Sequence, residues 1–354
     1  MPLIINPQTG YQVTMNPHST FSVNTMFSTS SFLSFTFTNS GAIGPVGPTL
    51  LQALSAYSSR PDIISGLSIS GPGYQSFVIP NTGTYRFTVN GASGGVWTTS
   101  PMSPVSSSLA PTIDGYKRPP GALIRGSYNL TIGQIITMVI GQGGGDDDNV
   151  IANCPGGGGG TFVTLGSYAA VLGLTDTLLF VAGGAGGAGY QVLDSASDNY
   201  SAGIGQISTF GAAASEGSGT FGNGAPTIVT SNNSSGGAGY LSGPGLATTT
   251  DFTTTIPTNA VPVGFRQGAK GGSFLGLTRG WGGFGGGGQG ANSTTSDDDK
   301  GGGGGYSGGA HAFDADWFGG GGGSYTNPSA TSLTLTAGGN TTSRHGSVLL
   351  EFLG

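Results

Sequence analysis

Serine, histidine and aspartate are the residue types in this sequence that could support hydrolytic chemistry. Gly-x-Ser-x-Gly, the pattern of a nucleophile elbow, occurs around Ser93 and Ser307. Because glycine makes up 72 of the 354 residues, chance alone accounts for two such matches. The three histidines, His18, His311 and His345, do not stand in a catalytic or metal-ligand spacing. The sequence therefore predicts a protein that is not an enzyme and has no catalytic residues.

Binding of nucleotides, nucleic acid or a membrane is also not indicated. Gly-x-Gly-x-x-Gly recurs, but no strand–turn–helix unit surrounds it, so we predict no cofactor. The formal net charge is −6 and no segment is rich in lysine or arginine, which argues against a nucleic-acid partner. No apolar run approaches the ~20 residues of a transmembrane helix. The first residues have neither a basic region nor a long apolar stretch, so we expect no secretory signal peptide and no membrane insertion.

Two acidic clusters, Asp146–Asp148 and Asp297–Asp299, adjoin glycine blocks. Aspartate oxygens suit Ca²⁺, but consecutive aspartates lack the alternating spacing of a calcium-binding loop. We predict solvated turns and no metal site, with Ca²⁺ binding as the alternative. Cys154 is the only cysteine, which excludes an intramolecular disulfide and is typical of assembly in a reducing compartment.

The glycine content itself needs a physical explanation. Ordering a glycine costs about 0.5–1 kcal/mol more than ordering an alanine. The glycines nevertheless occur in tight blocks beside strand-like segments, whereas flexible linkers are usually glycine–serine mixtures between domains. Extended polyglycine helices, whose backbones approach closely and bond to one another, would offset the cost. The alternative is a disordered low-complexity array. The main blocks are 156–160, 183–189, 282–290, 301–305 and 319–323.

Outside the glycine blocks the pattern is that of β-strands. Tyr85, Phe87 and Val89 alternate with polar residues, as in a half-buried strand, and residues 347–352 alternate again. Short strands that enclose a glycine-rich middle predict an all-β sandwich closed by its last strand. Residues 49–57 predict a short helix. We place the domain boundary after residue 65, with residues 1–65 as an anchoring and assembly segment and residues 66–354 as the glycine-rich domain.

Aromatic residues interrupt the late glycine blocks and are the candidate contact residues. Aromatic side chains dominate recognition hot spots, and loops that join glycine helices could display them. The alternative is that they cover the rim of the glycine module. The segment 311–318, between two glycine blocks, is the strongest candidate. The predicted partner-binding residues are Trp281, Phe284, Tyr306, His311, Phe313, Trp317 and Phe318.

Several segments resemble, in order, the glycine-rich domain of the anaplastic lymphoma kinase and leukocyte tyrosine kinase ectodomains. They are Tyr85–Gly95, Gly121–Gln142, Cys154–Val163 with Leu178–Gly189, and His345–Leu350. The resemblance implies a tumour-necrosis-factor-like, jelly-roll type β-sandwich with an inserted polyglycine-II helix bundle. Residues 36–57 look like the lead-in of glycine-rich structural proteins of large DNA viruses and phages. The receptor kinase and its disulfide cysteines are missing here, so the viral form fits better.

Together these features predict a non-enzymatic structural protein of a virus particle, in the capsid surface or a fibre. Its expected partners are other virion proteins or copies of itself, with a host-surface glycan or protein as the target of attachment. One alternative is an adhesion module of a cell surface or a phage tail tip. Another is a subunit of a self-assembling extracellular filament, because exposed strands can pair between subunits.

Overall fold

The computed structural model describes residues 32–97, 112–113, 116–146, 154–189, 200–213, 217–226, 234–244, 261–273, 280–290, 299–312 and 318–354. Its strands are β1 (Ser34–Phe37), β2 (Leu67–Ser70), β3 (Tyr74–Val78), β4 (Gly83–Asn90), β5 (Thr112–Ile113), β6 (Tyr116–Lys117), β7 (Leu123–Leu130), β8 (Ile135–Val139), β9 (Thr161–Leu165), β10 (Thr177–Ala182), β11 (Tyr325–Thr326), β12 (Thr331–Thr336) and β13 (Ser347–Phe352). The helices are α1 (Leu50–Ala56), α2 (Pro61–Ile64), α3 (Tyr168–Leu172), α4 (Tyr200–Gly203) and a 3₁₀ turn at Phe265–Gln267.

Two antiparallel sheets make up most of the regular structure. One has the order β1-β13-β4-β7-β12, and the other has the order β11-β10-β9-β8-β3-β2. The closing strand β13 pairs with β1 on one side and with β4 on the other. The prediction of an all-β sandwich is confirmed at the level of two antiparallel sheets with few helices.

The main core lies between the two sheets. In β4, Tyr85, Phe87 and Val89 are buried while the intervening residues are half-buried, as the alternation predicts. The Phe87 ring packs against Phe180 of the opposite sheet, with 5.3 Å between centroids. Strand β8 is buried on both faces, because Met138 belongs to the sandwich core while Val139 packs in a second cluster under the glycine segments.

The domain boundary predicted after residue 65 is not where the structure divides. Residues 32–354 form one compact unit. Strand β1 is an edge strand of the first sheet, and Phe37, Tyr57 and Ile63 are part of the sandwich core. Helix α1 begins at a capping box made by Thr49 and Gln52, but of its residues only Ala53 is buried. The segment 32–65 therefore belongs to the sandwich, and nothing separates it from the rest.

The glycine segments bond to one another with a period of three residues. In the segment 156–160, the N–H groups of Gly156 and Gly159 donate to carbonyls of 142–145 at 3.0 and 2.9 Å. Those of Gly157 and Gly160 donate to the segment 285–288 at 2.8 and 2.9 Å, and that of Gly158 donates to Ala185 at 2.7 Å. Each segment is thus bonded to several neighbours and not to a single partner.

The segment 301–306 repeats this pattern. Its N–H groups donate in turn to the segments 155–158, 235–238 and 320–323, and the same three neighbours recur for residues 304–306. The backbones lie too close for side chains: a Cβ on Gly304 would sit 2.2 Å from the carbonyl oxygen of Gly285. One on Gly157 would sit 2.0 Å from that of Gly302. Glycine is therefore required here by the spacing of neighbouring chains.

Candidate contact surface

Three of the predicted contact residues are buried. Phe284 packs with Phe162 and Phe265 in the cluster beneath the glycine segments, and Phe318 packs against Val96 and Ala188. Both rings are at most 1% exposed. His311 is fully buried, and burial lowers its pKa to about 4, against the raising effect of a bond to a backbone carbonyl. Display to a partner is the wrong interpretation for these three residues, because their side chains are buried.

The other predicted residues divide into two groups. Trp281 is half-buried and covers the backbone of Gly145, where a Cβ would lie 2.8 Å from the indole ring. Tyr306 is also half-buried. Phe313 and Trp317 lie outside the described residues. Of the predicted set, Tyr306 is the residue that the structure brings to a larger aromatic surface.

Tyr306 lies in a stack of aromatic rings that runs outward from the second cluster. Phe265 stacks on Tyr240 at 5.4 Å, Tyr240 on Tyr306 at 6.2 Å, and Tyr306 on Tyr325 at 5.0 Å. Phe265 is buried, whereas Tyr306 and Tyr325 are partly exposed. The stack therefore fixes the orientation of a tyrosine that reaches the surface.

Beside Tyr306, three exposed apolar side chains form a patch, which we call the aromatic tip. Phe210, Phe221 and Leu241 are 45%, 75% and 46% exposed. The two phenylalanine rings meet edge to face with 5.7 Å between centroids. A Cβ on Gly222 would lie 3.2 Å from the Leu241 side chain and 3.7 Å from the Tyr306 ring, so Leu241 and Tyr306 both approach the glycine that follows Phe221.

Phe221 occupies an unusual backbone conformation. Its φ is +52°, that of Gly222 is +85°, and the N–H of Asn223 donates to the carbonyl of Thr220 at 3.0 Å. These are the features of a type I′ turn, in which asparagine and glycine are the favoured central residues. A left-handed conformation costs a residue with a side chain about 1–2 kcal/mol. A bulky aromatic residue that is three-quarters exposed gains little packing in return, so packing does not explain its presence here.

Ser307 attaches the tip to the glycine module. Its hydroxyl donates to the carbonyl of Thr209 at 2.7 Å and accepts the N–H of Gly222 at 3.1 Å. One side chain, placed directly after Tyr306, thus joins the loop of Phe210 to the turn of Phe221. The Gly-x-Ser-x-Gly pattern around Ser307 therefore marks a structural hydroxyl.

The surroundings of the tip are polar but carry almost no charge. Thr209, Thr220 and Asn223 are exposed, and Ser242 donates to the Asn223 side chain at 3.2 Å. Between residues 199 and 250 the sequence has a single charged residue, Glu216. The tip therefore offers rings, hydroxyls and an amide to a partner.

Phe210, Phe221 and Leu241 are not among the contact residues predicted from the sequence. The available signal was the tripeptide Thr-Phe-Gly, which occurs at 209–211 and again at 220–222 in the stretch that is nearly free of charge. An aromatic residue followed by glycine suits a tight turn that exposes the ring.

A buried ionic cluster occupies the first aspartate cluster's position. Asp146 receives a bidentate contact from Arg118 at 2.5 and 2.7 Å and a third contact from Arg344 at 3.1 Å. Burial raises the pKa of Asp146, but the two guanidinium groups outweigh it and hold the pKa below its usual value. The neighbouring His345 accepts the N–H of Gly143, and burial followed by the two arginines lowers its pKa to about 4.

The contacts of Asp146 bear on the alternative that the aspartate clusters bind Ca²⁺. The Asp146 oxygens already bond to arginines and to the N–H of Val96 at 3.0 Å, so this carboxylate is committed to structure. Asp299 is buried, and Asp147, Asp148, Asp297 and Asp298 lie outside the described residues. Among the residues that the structure describes, no group of three or more His, Cys, Asp and Glu residues could hold a metal ion.

A second ionic contact fastens the loop at 261–273 to helix α3 and to Asp176, the residue before β10. Arg266 contacts Asp176 at 2.7 Å, donates to the carbonyl of Val171 at 2.7 Å and lies 4.6 Å from the Tyr240 ring centroid. The Asp176 side chain is fully buried. Burial, followed by Asp176, raises the pKa of the Tyr240 hydroxyl, so the neutral phenol donates to the carboxylate at 3.2 Å.

Comparison with protein-family models finds no match for this chain, and comparison with curated proteins finds none either. None of the helices in the described ranges is both long enough and apolar enough to cross a membrane. The function must therefore be argued from the residues and their geometry.

Proposed function

We propose that the chain is a non-enzymatic structural protein of a virus particle, which carries the aromatic tip on a stiff glycine-rich module for attachment to a host. The observation that carries this proposal is the hydrogen-bond pattern of the glycine segments. Backbones that bond to several neighbours at once cannot move independently, so a loop anchored to them keeps a fixed geometry.

We further propose that these segments are polyglycine-II helices. A helix with three residues per turn rotates by about 120° per residue, so successive N–H groups face three neighbours in turn. The bonds of residues 156–160 and 301–306 have this period. The resemblance to the glycine-rich domain of receptor kinases supports a jelly-roll type of sandwich, as does the position of β13 beside β1.

The assignment to a virus particle is supported by the sequence. Residues 36–57 and the ordered glycine-rich segments resemble glycine-rich structural proteins of large DNA viruses and phages. Charged residues make up 7% of the chain, and the single cysteine is compatible with assembly inside a reducing cell. A surface with few charges and one exposed aromatic tip suits a scaffold whose contacts are few and specific.

The test is the location of the protein. We expect mass spectrometry of purified particles to find the chain in stoichiometric amounts, and gold-labelled antibody to label the outside of intact particles. Recovery of the protein from infected cells, together with its absence from particles, would refute a virion role. Labelling of the host cell surface instead would favour the adhesion module that the same aromatic tip could serve.

One observation favours a second candidate, the filament subunit. Strand β12 is an edge strand of the first sheet, and five of its six residues are exposed. Its sequence, Thr-Ser-Leu-Thr-Leu-Thr, has none of the charged residues or prolines that protect sheet edges. A register shift between Thr331 and Thr334 interrupts its pairing with β7 and opposes edge-to-edge growth. Electron microscopy of the purified chain at high concentration distinguishes filaments from single molecules.

A further inference from the structure

We infer that the aromatic tip binds a neutral saccharide, a ligand class that deepens the attachment role and rests on it. The tip presents the Phe221 ring at 75% exposure and the Phe210 ring at 45%, fixed edge to face. A pyranose has one face of C–H groups, which packs on an aromatic ring, and a rim of hydroxyls, which need hydrogen-bond partners. The aromatic tip supplies the rings, and the polar residues around it supply the hydrogen-bond partners.

The size of the patch favours a small ligand over a protein. From typical aromatic side-chain areas of about 200 Å² and the exposed fractions, the tip offers about 300 Å² of apolar surface. A stable protein–protein interface needs about 800 Å² from each partner. One or two sugar rings match the smaller area, and repeated copies on a particle would multiply a weak affinity.

The polar residues around the aromatic tip, which we call its rim, determine which saccharides fit. The exposed Thr209, Thr220 and Asn223 provide hydroxyl and amide groups, and Ser242 orients the Asn223 amide by donating to its oxygen. None of these is charged, and no described residue of 201–244 is basic. Arg266, which lies over the Tyr240 ring, is already paired with Asp176, so acidic sugars such as sialic acid or sulfated glycans find no free counter-charge among these residues. Neutral hexoses and N-acetylhexosamines suit the rim.

The backbone at Phe221 permits a clean test. Phe221→Asn places Asn-Gly, the favoured pair of a type I′ turn, at φ values that the turn already has, so the fold is retained while the ring is lost. The control is Leu174→Asn. Leu174 is also exposed, at 68%, and also left-handed, at φ +59°, but it follows helix α3 and is not part of the aromatic tip.

The experiment is ligand-observed NMR and calorimetry of the full chain with chitobiose, lactose, mannobiose and 3′-sialyllactose. We expect at least one neutral sugar to bind with millimolar affinity and Phe221→Asn to weaken it by roughly tenfold or more. Leu174→Asn should bind as the unaltered protein does. Equal binding by Phe221→Asn would overturn the site, and preference for the sialylated sugar would overturn the neutral class.

Two other outcomes also overturn the inference. No saccharide binding at ~10 mM, together with self-association that Phe221→Asn abolishes, would assign the tip to a second copy of the chain. No saccharide binding without self-association would leave the tip with no sugar ligand. Neither result affects the proposed virion role, because particle composition and immunolabelling test that role separately.

Discussion

Gly304→Ala tests whether the spacing of the glycine backbones determines stability. The new Cβ would lie 2.2 Å from the oxygen of Gly285, whereas ordinary contact begins at 3.4 Å, so the two chains must separate by 3.4 − 2.2 = 1.2 Å. Three bonds of 2.8–2.9 Å hold this position: Gly304 to Gly158, Gly184 to Gly304, and Gly160 to Gly285. Separation on this scale lengthens them beyond hydrogen-bond distance.

The magnitude follows from these bonds. Losing three buried backbone bonds at roughly 1–1.5 kcal/mol each costs about 3–5 kcal/mol. Replacing glycine with alanine returns up to about 1 kcal/mol, because the unfolded chain has fewer conformations to lose. We therefore expect Gly304→Ala to lower the free energy of unfolding by about 2–4 kcal/mol. Urea unfolding followed by circular dichroism, with the midpoint compared at equal slope, measures this difference.

Gly217→Ala is the matched control. Among the described residues, the nearest atom to its new Cβ is Pro226 Cγ at 3.9 Å, so only the unfolded-state effect remains. We expect this variant to gain about 0.4–1 kcal/mol or to stay unchanged. If Gly304→Ala unfolds at the same urea concentration as Gly217→Ala, then close approach does not explain the glycine at 304.

Three further predictions concern stability. Phe221→Asn should raise the free energy of unfolding by about 0.5–1 kcal/mol, because asparagine tolerates the left-handed turn. A lower free energy in urea unfolding would mean that the packing of the Phe221 ring outweighs the backbone strain. Arg266→Met should lower the free energy of unfolding by about 3–5 kcal/mol, because the buried Asp176 carboxylate loses its counter-charge. Adding Asp176→Asn should recover part of this loss of stability, and no recovery would contradict a charge effect. His345 and His311 have folded pKa values of about 4 against 6.5 when unfolded, so the unfolded state binds protons first. The free energy of unfolding should fall by about 3 kcal/mol per histidine as pH decreases from 6.5 to 4. If the stability of a His345→Asn variant depends on pH as steeply as that of the unaltered protein, the low pKa of His345 does not cause this fall.

The strands were predictable because their signal is local. In β4 and β13, alternate residues face the core, and a period of two is readable from a few neighbouring positions. The composition and placement of the glycine segments also predicted that their backbones bond to one another. Their pairing did not follow, because glycine has no side chain and blocks such as 156–160 and 301–305 are identical in sequence. Which block bonds to which is decided by tertiary packing.

Exposure of the aromatic residues was not predictable from the same kind of signal. Phe284 and Phe221 both lie between a small or polar residue and glycine, yet the first is fully buried and the second is three-quarters exposed. The difference comes from neighbours distant in sequence: the Phe284 ring packs in a cluster with Phe162 and Phe265, while the Phe221 ring projects from a turn. The boundary after residue 65 failed for a related reason, since β1 pairs with β13, a strand distant from it in sequence.

Hydrogen bonds to residues of the glycine module hold the turn of Phe221 in place. A left-handed phenylalanine on a free loop would relax, because nothing would oppose a change of backbone conformation. Here the N–H of Gly222 donates to Ser307, the carbonyl of Gly222 accepts from Leu241 at 2.7 Å, and both partners belong to segments bonded into the glycine module. The module therefore stabilises a conformation that the local sequence disfavours. Rigidity of the scaffold and exposure of the tip are consequences of one arrangement of hydrogen bonds.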